Sequence, residues 1–206
     1  MERFTTGKEA KVKTKVLYWE NVCDRVSLYG FQQIVVEPTR EGVTTASLEY
    51  DEASSAPTIV AVRLKEQNLA VRSGDPRRFC KATVKVPSQA SVSIRNIYNV
   101  EAEVSARLQS LSLHVRDGSV QCTNTVEQAV VFVEGDAQVL FREVAGFGQC
   151  YFQIFPNGTG TIRVESGYMI KPEIALSSGV FVCGAVISEA TISCSKEGRV
   201  ELSPVA

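Results

Sequence analysis

Leu111-Ser112-Leu113-His114-Val115-Arg116-Asp117-Gly118 alternates apolar and polar side chains and then ends in a turn dipeptide. Its apolar residues fall at every second position, so a strand lays Leu111, Leu113 and Val115 on one face and Ser112, His114 and Arg116 on the other. One face is therefore buried and the other wet. The run closes on Asp-Gly, a dipeptide that turns the chain easily. The same grammar returns at Gly135-Asp136, Asn157-Gly158, Ser178-Gly179 and Glu197-Gly198, a beat of about twenty residues that suits strand and turn units laid one on another. The expected fold is all-β, a single-stranded β-helix or solenoid, or a stacked-strand repeat.

Further along the chain, the runs Ala129 to Val133 and Cys150 to Phe155 lose the alternation and carry apolar residues on both sides. Either another layer covers them or their outward residues form a contact surface for a partner. Towards the N-terminus, Thr58 to Leu64, Leu69 to Arg72, Phe79 to Val86, Ala90 to Ile94 and Val100 to Val104 read as further strands. Earlier still, Gln33 to Val36 and Val43 to Tyr50 flank a turn around Pro38 to Gly42. The small, polar run Asp51 to Pro57 is a surface loop, and Asp75-Pro76-Arg77-Arg78 a turn with solvated charge. No long amphipathic helix follows residue 30, which argues against β-α-β crossovers and a parallel α/β sheet. Before it, Trp19, Val22, Cys23 and Val26 stand at i, i+3, i+4 and i+7 with Gly30 beyond them, the pattern of a short helix, for which a pair of strands is the alternative. The chain is thus divided into an irregular N-terminal segment over 1–30 and a solenoid-like domain over 31–206.

Thr83-Val84-Lys85-Val86-Pro87, followed by Ser88-Gln89-Ala90-Ser91-Val92-Ser93-Ile94 and preceded by Asn68-Leu69-Ala70-Val71-Arg72-Ser73, resembles the bacterial "putative adhesin" family, a domain of unknown function with eukaryotic relatives. The resemblance runs over roughly residues 58 to 202. It implies a right-handed single-stranded β-helix or a related stacked-strand fold, with no established enzymatic activity. Where relatives repeat Ser-Gly-Asp or Ser-Gly-Asn turns, this chain keeps Ser166-Gly167 and Ser178-Gly179 and elsewhere has Asp-Gly, Gly-Asp and Glu-Gly.

Composition narrows the function classes. With 44% hydrophobic and 22% charged residues and a net charge of −1, the chain has neither the profile of a disordered segment nor the positive field that nucleic acid requires. No apolar run reaches the roughly 18–20 residues of a membrane-spanning helix, and the first residues lack the apolar centre of a signal peptide. The expected compartment is intracellular, by default the cytoplasm. Lys8, Lys11, Lys13 and Lys15 make a mitochondrial presequence the alternative, against which Glu2 and Glu9 speak. The six cysteines contain no C-x-x-C pair, so zinc ribbons and thioredoxin-type sites are poorly supported. Cys122, Cys150, Cys183 and Cys194 fall in β-runs, where buried free thiols are expected.

Catalytic candidates are few. His114 is the single histidine, and with Ser112 and Arg116 on its face it reads as a solvated strand residue. Glu101 with Glu103, and Glu134 with Asp136 across Gly135, are acid pairs that a glycosidase would use. In a turn, such acids more simply accept hydrogen bonds from backbone amides. Gly146-Phe147-Gly148 lacks the Lys-Ser/Thr of a phosphate loop and reads as a turn bearing an exposed ring. No catalytic, cofactor or metal residues are assigned. The expectation is a non-enzymatic β-repeat scaffold for protein interaction or self-association, with Phe147, Tyr151 and Phe155 as contact residues. Carbohydrate binding, or action on carbohydrate, along the stacked strands is the alternative.

Overall fold

The computed structural model describes residues 14–40, 42–63, 67–146 and 148–203. Every regular element among them is a strand. In chain order these are β1 (Thr14–Asn21), β2 (Arg25–Tyr29), β3 (Gln33–Pro38), β4 (Thr44–Asp51), β5 (Thr58–Arg63), β6 (Gln67–Arg72), β7 (Cys80–Val86), β8 (Ala90–Val104) and β9 (Leu108–Val133), then β10 (Gln138–Gly146), β11 (Tyr151–Ile154), β12 (Thr161–Met169), β13 (Glu173–Leu176), β14 (Gly179–Cys183), β15 (Val186–Ile187), β16 (Thr191–Cys194) and β17 (Gly198–Leu202).

The strands wind into a β-solenoid of about five turns. Two long walls result, because a chain that coils in one sense crosses each wall in the same direction at every turn and so pairs in parallel. Wall A stacks β6, β2, the first halves of β8 and β9, the end of β9, β11, β13 and β16. Wall B stacks β7, β3, the second half of β8, the middle of β9, β10, β12, β14 and β17. Past residue 140, β10 and β12 bend to add a short third side, at a register shift between Phe141 and Glu143 and at Gly167, whose φ is +116°.

At the N-terminal end the pairing changes sense. β5 lies antiparallel on β6, β4 on β7, and β1 on β4. Residues 14–30, read as an irregular segment with a short helix or a strand pair, are the strand pair. β2 already belongs to wall A, between β6 and β8. The helical spacing fails because its residues span a break: Cys23 and Val26 are buried while Val22, between the strands, is 55% exposed.

The core is built from the inward half of each alternation. On wall A, Val131, Phe152 and Ile174 stand in one register. On wall B, Val139, Ile162, Phe181 and Val200 stand in another. Phe152 reaches across between two rings of wall B, with centroids 6.3 Å from Phe141 and 5.0 Å from Phe181. Among the described residues the column ends at β16 and β17, with no strand stacked beyond inward-facing Ile192 and Leu202, which are 44% and 54% exposed.

The glycine beat is the seam where coils turn over one another. A Cβ on Gly135 would lie 2.6 Å from Asp117 Oδ1, and one on Gly158 would lie 2.3 Å from the Gly135 carbonyl oxygen. Aspartates tie the turns together. The Asp136 amide donates to Asp117 Oδ1 at 3.2 Å, and the Thr159 amide and hydroxyl donate to Asp136 Oδ1 at 2.8 and 3.0 Å. Those bonds, the amide's first, hold the Asp136 carboxyl below its ordinary range.

All six cysteines are free. Cys23, Cys80, Cys122, Cys150 and Cys183 are buried, and burial pushes their thiols up, so the reactive thiolate is scarce. Cys194, expected to be buried, is exposed, because its strand is the last of wall A among the described residues. An alkylating reagent at about pH 8 should therefore modify Cys194 alone in the folded protein and all six thiols after unfolding. Mass spectrometry after a short labelling pulse checks this, and a second fast-labelling cysteine would contradict the packing.

Candidate interaction face

The outward side chains of wall A are set by register. Arg72, Tyr29, Arg95 and His114 occupy equivalent positions on four adjacent strands, β6, β2, β8 and β9. Strand neighbours stand about 4.8 Å apart, so this is a continuous stripe of guanidinium groups and rings. Arg72 lies over the Tyr29 ring, 5.1 Å from its centroid, a cation–π arrangement. The stripe then meets Phe132, whose ring centroid is 5.8 Å from that of His114.

Phe132 is the centre of a ridge. Tyr151 and Phe155 approach it with centroids at 5.5 and 6.4 Å, all tilted rather than stacked flat. Val130 stands beside Tyr151 in register and is half-buried like the rings. Two polar contacts fix the rim. Tyr151 Oη donates to Gln153 Oε1 at 3.1 Å, and Glu134 contacts His114 Nε2. His114, expected to be solvated, is 28% exposed at its side chain, held between the Phe132 ring and the Glu134 carboxylate. The strand runs that are apolar on both sides thus bury one side in the core and leave the other on the surface, with no second layer over it among the described residues.

Of the contact residues expected from sequence, Tyr151 and Phe155 are brought together by Phe132, and Phe147 lies outside the described residues. The acid pairs do not assemble into one site. Glu134 goes to His114 and Asp136 to Thr159. Glu101 and Glu103 are exposed on wall B, in a shallow recess of about 340 Å³ shared with Gln33 and Lys81. Sequence reasoning missed Phe132 and the Arg72–Tyr29–Arg95 stripe. For Phe132 a signal existed, since it has the outward parity of Val130 and follows His114 by about one beat.

Beyond the ridge, the stripe borders a recess of about 410 Å³ lined by Tyr29, Arg72, Arg95, Ile97, Tyr98 and Pro76 among others. Gly30 takes φ +74°, and a Cβ there would stand 3.2 Å from Pro76 Cβ. Across from Pro76, buried Asn96 donates to the Phe31 carbonyl at 2.6 Å and accepts from the Tyr98 amide at 2.8 Å. Asn96 thereby fixes the corner that projects Ile97 and Tyr98.

No family model matches the chain, and no curated protein matches it. Solved structures do. A putative adhesin from Parabacteroides distasonis aligns with a TM-score of 0.56 at 12% identity, over 94% of this chain and 98% of that one. A putative adhesin from Bacteroides fragilis aligns at 0.48 and 12% identity over 92% and 97%, and a putative cell adhesion protein from Clostridium sporogenes at 0.40 and 12% over 94% and 100%. The first of these likenesses establishes a shared fold, in keeping with the family resemblance of the sequence.

Proposed function

We propose that the protein is a non-enzymatic β-solenoid scaffold that binds another protein chain through the aromatic ridge of wall A. The observation that carries this reading is the cluster of Phe132, Tyr151 and Phe155 on the outer side of wall A, over which no second layer lies among the described residues. An outward apolar cluster is a cost to a solitary soluble surface and a gain to an interface, where aromatic anchors contribute most. The solenoid supplies rigidity, since Phe132 and Tyr151 stand on strands paired into wall A and Phe155 directly follows β11, its amide bonded to the Val133 carbonyl. The adhesin description given to the neighbour of like fold is a binding role of the same general kind. Six free thiols suit a reducing compartment, so we place this activity inside the cell. A second reading, carbohydrate binding, is favoured by one observation, the alignment of Tyr29, His114 and Phe132 along a single stripe.

Light scattering coupled to size-exclusion chromatography on the wild type and on Phe132→Ser tests the scaffold reading first. An oligomer that the substitution dissolves makes the partner a second copy. If both are monomers, photo-crosslinking from position 151 in the native cell is compared with position 103 on wall B. Crosslinks to protein confined to position 151 support the ridge. Equal yields at the two positions, or none, sink it, and retention on a glycan array that Phe132→Ser abolishes would favour the second reading.

A further inference from the structure

We infer that the recess between Tyr29 and Tyr98 is a binding site for an oxyanion carried on a ring, such as an aryl phosphate or an acidic sugar. Three features point there. First, the lining holds two arginines and no carboxylate. Arg72 and Arg95 have no ion-pair partner among the described residues, a state they share with Arg77, Arg142 and Arg163, and what sets them apart is that both flank one ring in register. Two neighbouring guanidinium groups without an acid partner are open to an external anion, for which their planar forks are suited.

Second, the arginines are placed on both sides of one ring. Tyr29 is in register with Arg72 on one strand and Arg95 on the next. The Tyr29 ring holds the Arg72 guanidinium at 5.1 Å, which lowers the entropy lost when an anion is clamped. Third, the rest of the lining is largely apolar and built. Ile97 is 49% exposed beside half-buried Tyr98 and Pro76. The corner that carries Ile97 and Tyr98 is anchored by the hydrogen bonds of buried Asn96, and Gly30 allows Pro76 its close approach. A volume of about 410 Å³ admits one ring and its charged group, at the small end of ligand sites. The charge would sit at Arg72 and Arg95, and the ring against Ile97, Tyr98 and Pro76. This site lies apart from the ridge and does not depend on it.

NMR titration with phenyl phosphate, glucuronate and inorganic phosphate tests the inference. The expected result is saturable shifts at Gly30, Ser73, Ile97 and Tyr98 with phenyl phosphate or glucuronate, at least about tenfold tighter than with inorganic phosphate. The tighter of the two identifies the carrier. Arg95→Gln should weaken it about tenfold, as loss of one charge-assisted pair does, and Arg72→Gln similarly. Both side chains are exposed, so an otherwise unchanged spectrum verifies the fold. Shifts that do not saturate, equal affinity for inorganic phosphate, or binding that survives both substitutions would overturn it.

Discussion

Phe152→Ala is expected to cost about 3–5 kcal/mol of folding stability, the range for removing a fully buried phenyl ring. The ring is completely inaccessible and stands between Phe141 and Phe181 of the opposite wall, with centroids 6.3 and 5.0 Å away. The backbones that carry those two rings are fixed by parallel pairing to strands on both sides, so the walls cannot close on the cavity. The loss therefore includes a void as well as the transfer of the ring. In a solenoid each coil is stabilised by its neighbours, and damage at one coil weakens coupling along the stack. Urea unfolding should accordingly show an earlier and broader transition than the wild type. Phe132→Ala, on the outer face of the same wall, serves as the comparison, because its half-exposed ring leaves no enclosed cavity. A loss below about 1 kcal/mol for Phe152→Ala would mean that the walls relax onto each other, contrary to a core packed at interior density.

What the sequence disclosed follows from how local each signal is. Leu111, Leu113 and Val115 revealed a strand because a period of two is visible within six residues, and burial of all three agrees. The turn glycines revealed the coil length because each lies beneath or above backbone of the next coil, a constraint that recurs once per turn. Helical spacing misled at Trp19 to Val26, since the count runs across the break between β1 and β2, with Trp19 in one strand, Val26 in the other and Val22 and Cys23 between them. That Tyr151 and Phe155 face outward was legible for a local reason too: both belong to a run whose inward positions, Cys150, Phe152 and Ile154, already fill the core. Phe132 as their centre was not, because its neighbours His114 and Tyr151 come from adjacent coils. The recess needs Tyr29, Arg72 and Arg95, brought side by side only by parallel register between β6, β2 and β8. Nothing within any one of those segments announces it.

Gly118→Ala should be among the most damaging of the conservative single changes to the turns. Two separate penalties meet there. Gly118 adopts φ +103°, a backbone conformation that costs an L-residue about 1–2 kcal/mol or more. Its Cβ would also sit 2.0 Å from the Val100 carbonyl oxygen and 2.6 Å from Asn99 Oδ1. Val100 is the strand partner of Gly118 in wall B, so that carbonyl cannot withdraw without breaking the pairing of β8 with β9. Gly42 separates the two effects. It has φ +68°, yet a Cβ there meets nothing within 4 Å, so Gly42→Ala should lose only the conformational part, about 1 kcal/mol. The expected result is a Gly118→Ala protein that unfolds at far lower denaturant than Gly42→Ala, with a difference exceeding about 2 kcal/mol as the overlapped contact forces β8 and β9 apart. Equal and modest losses at the two sites would show that successive turns are loosely stacked, and the glycine beat would then lose its meaning as the seam of the solenoid.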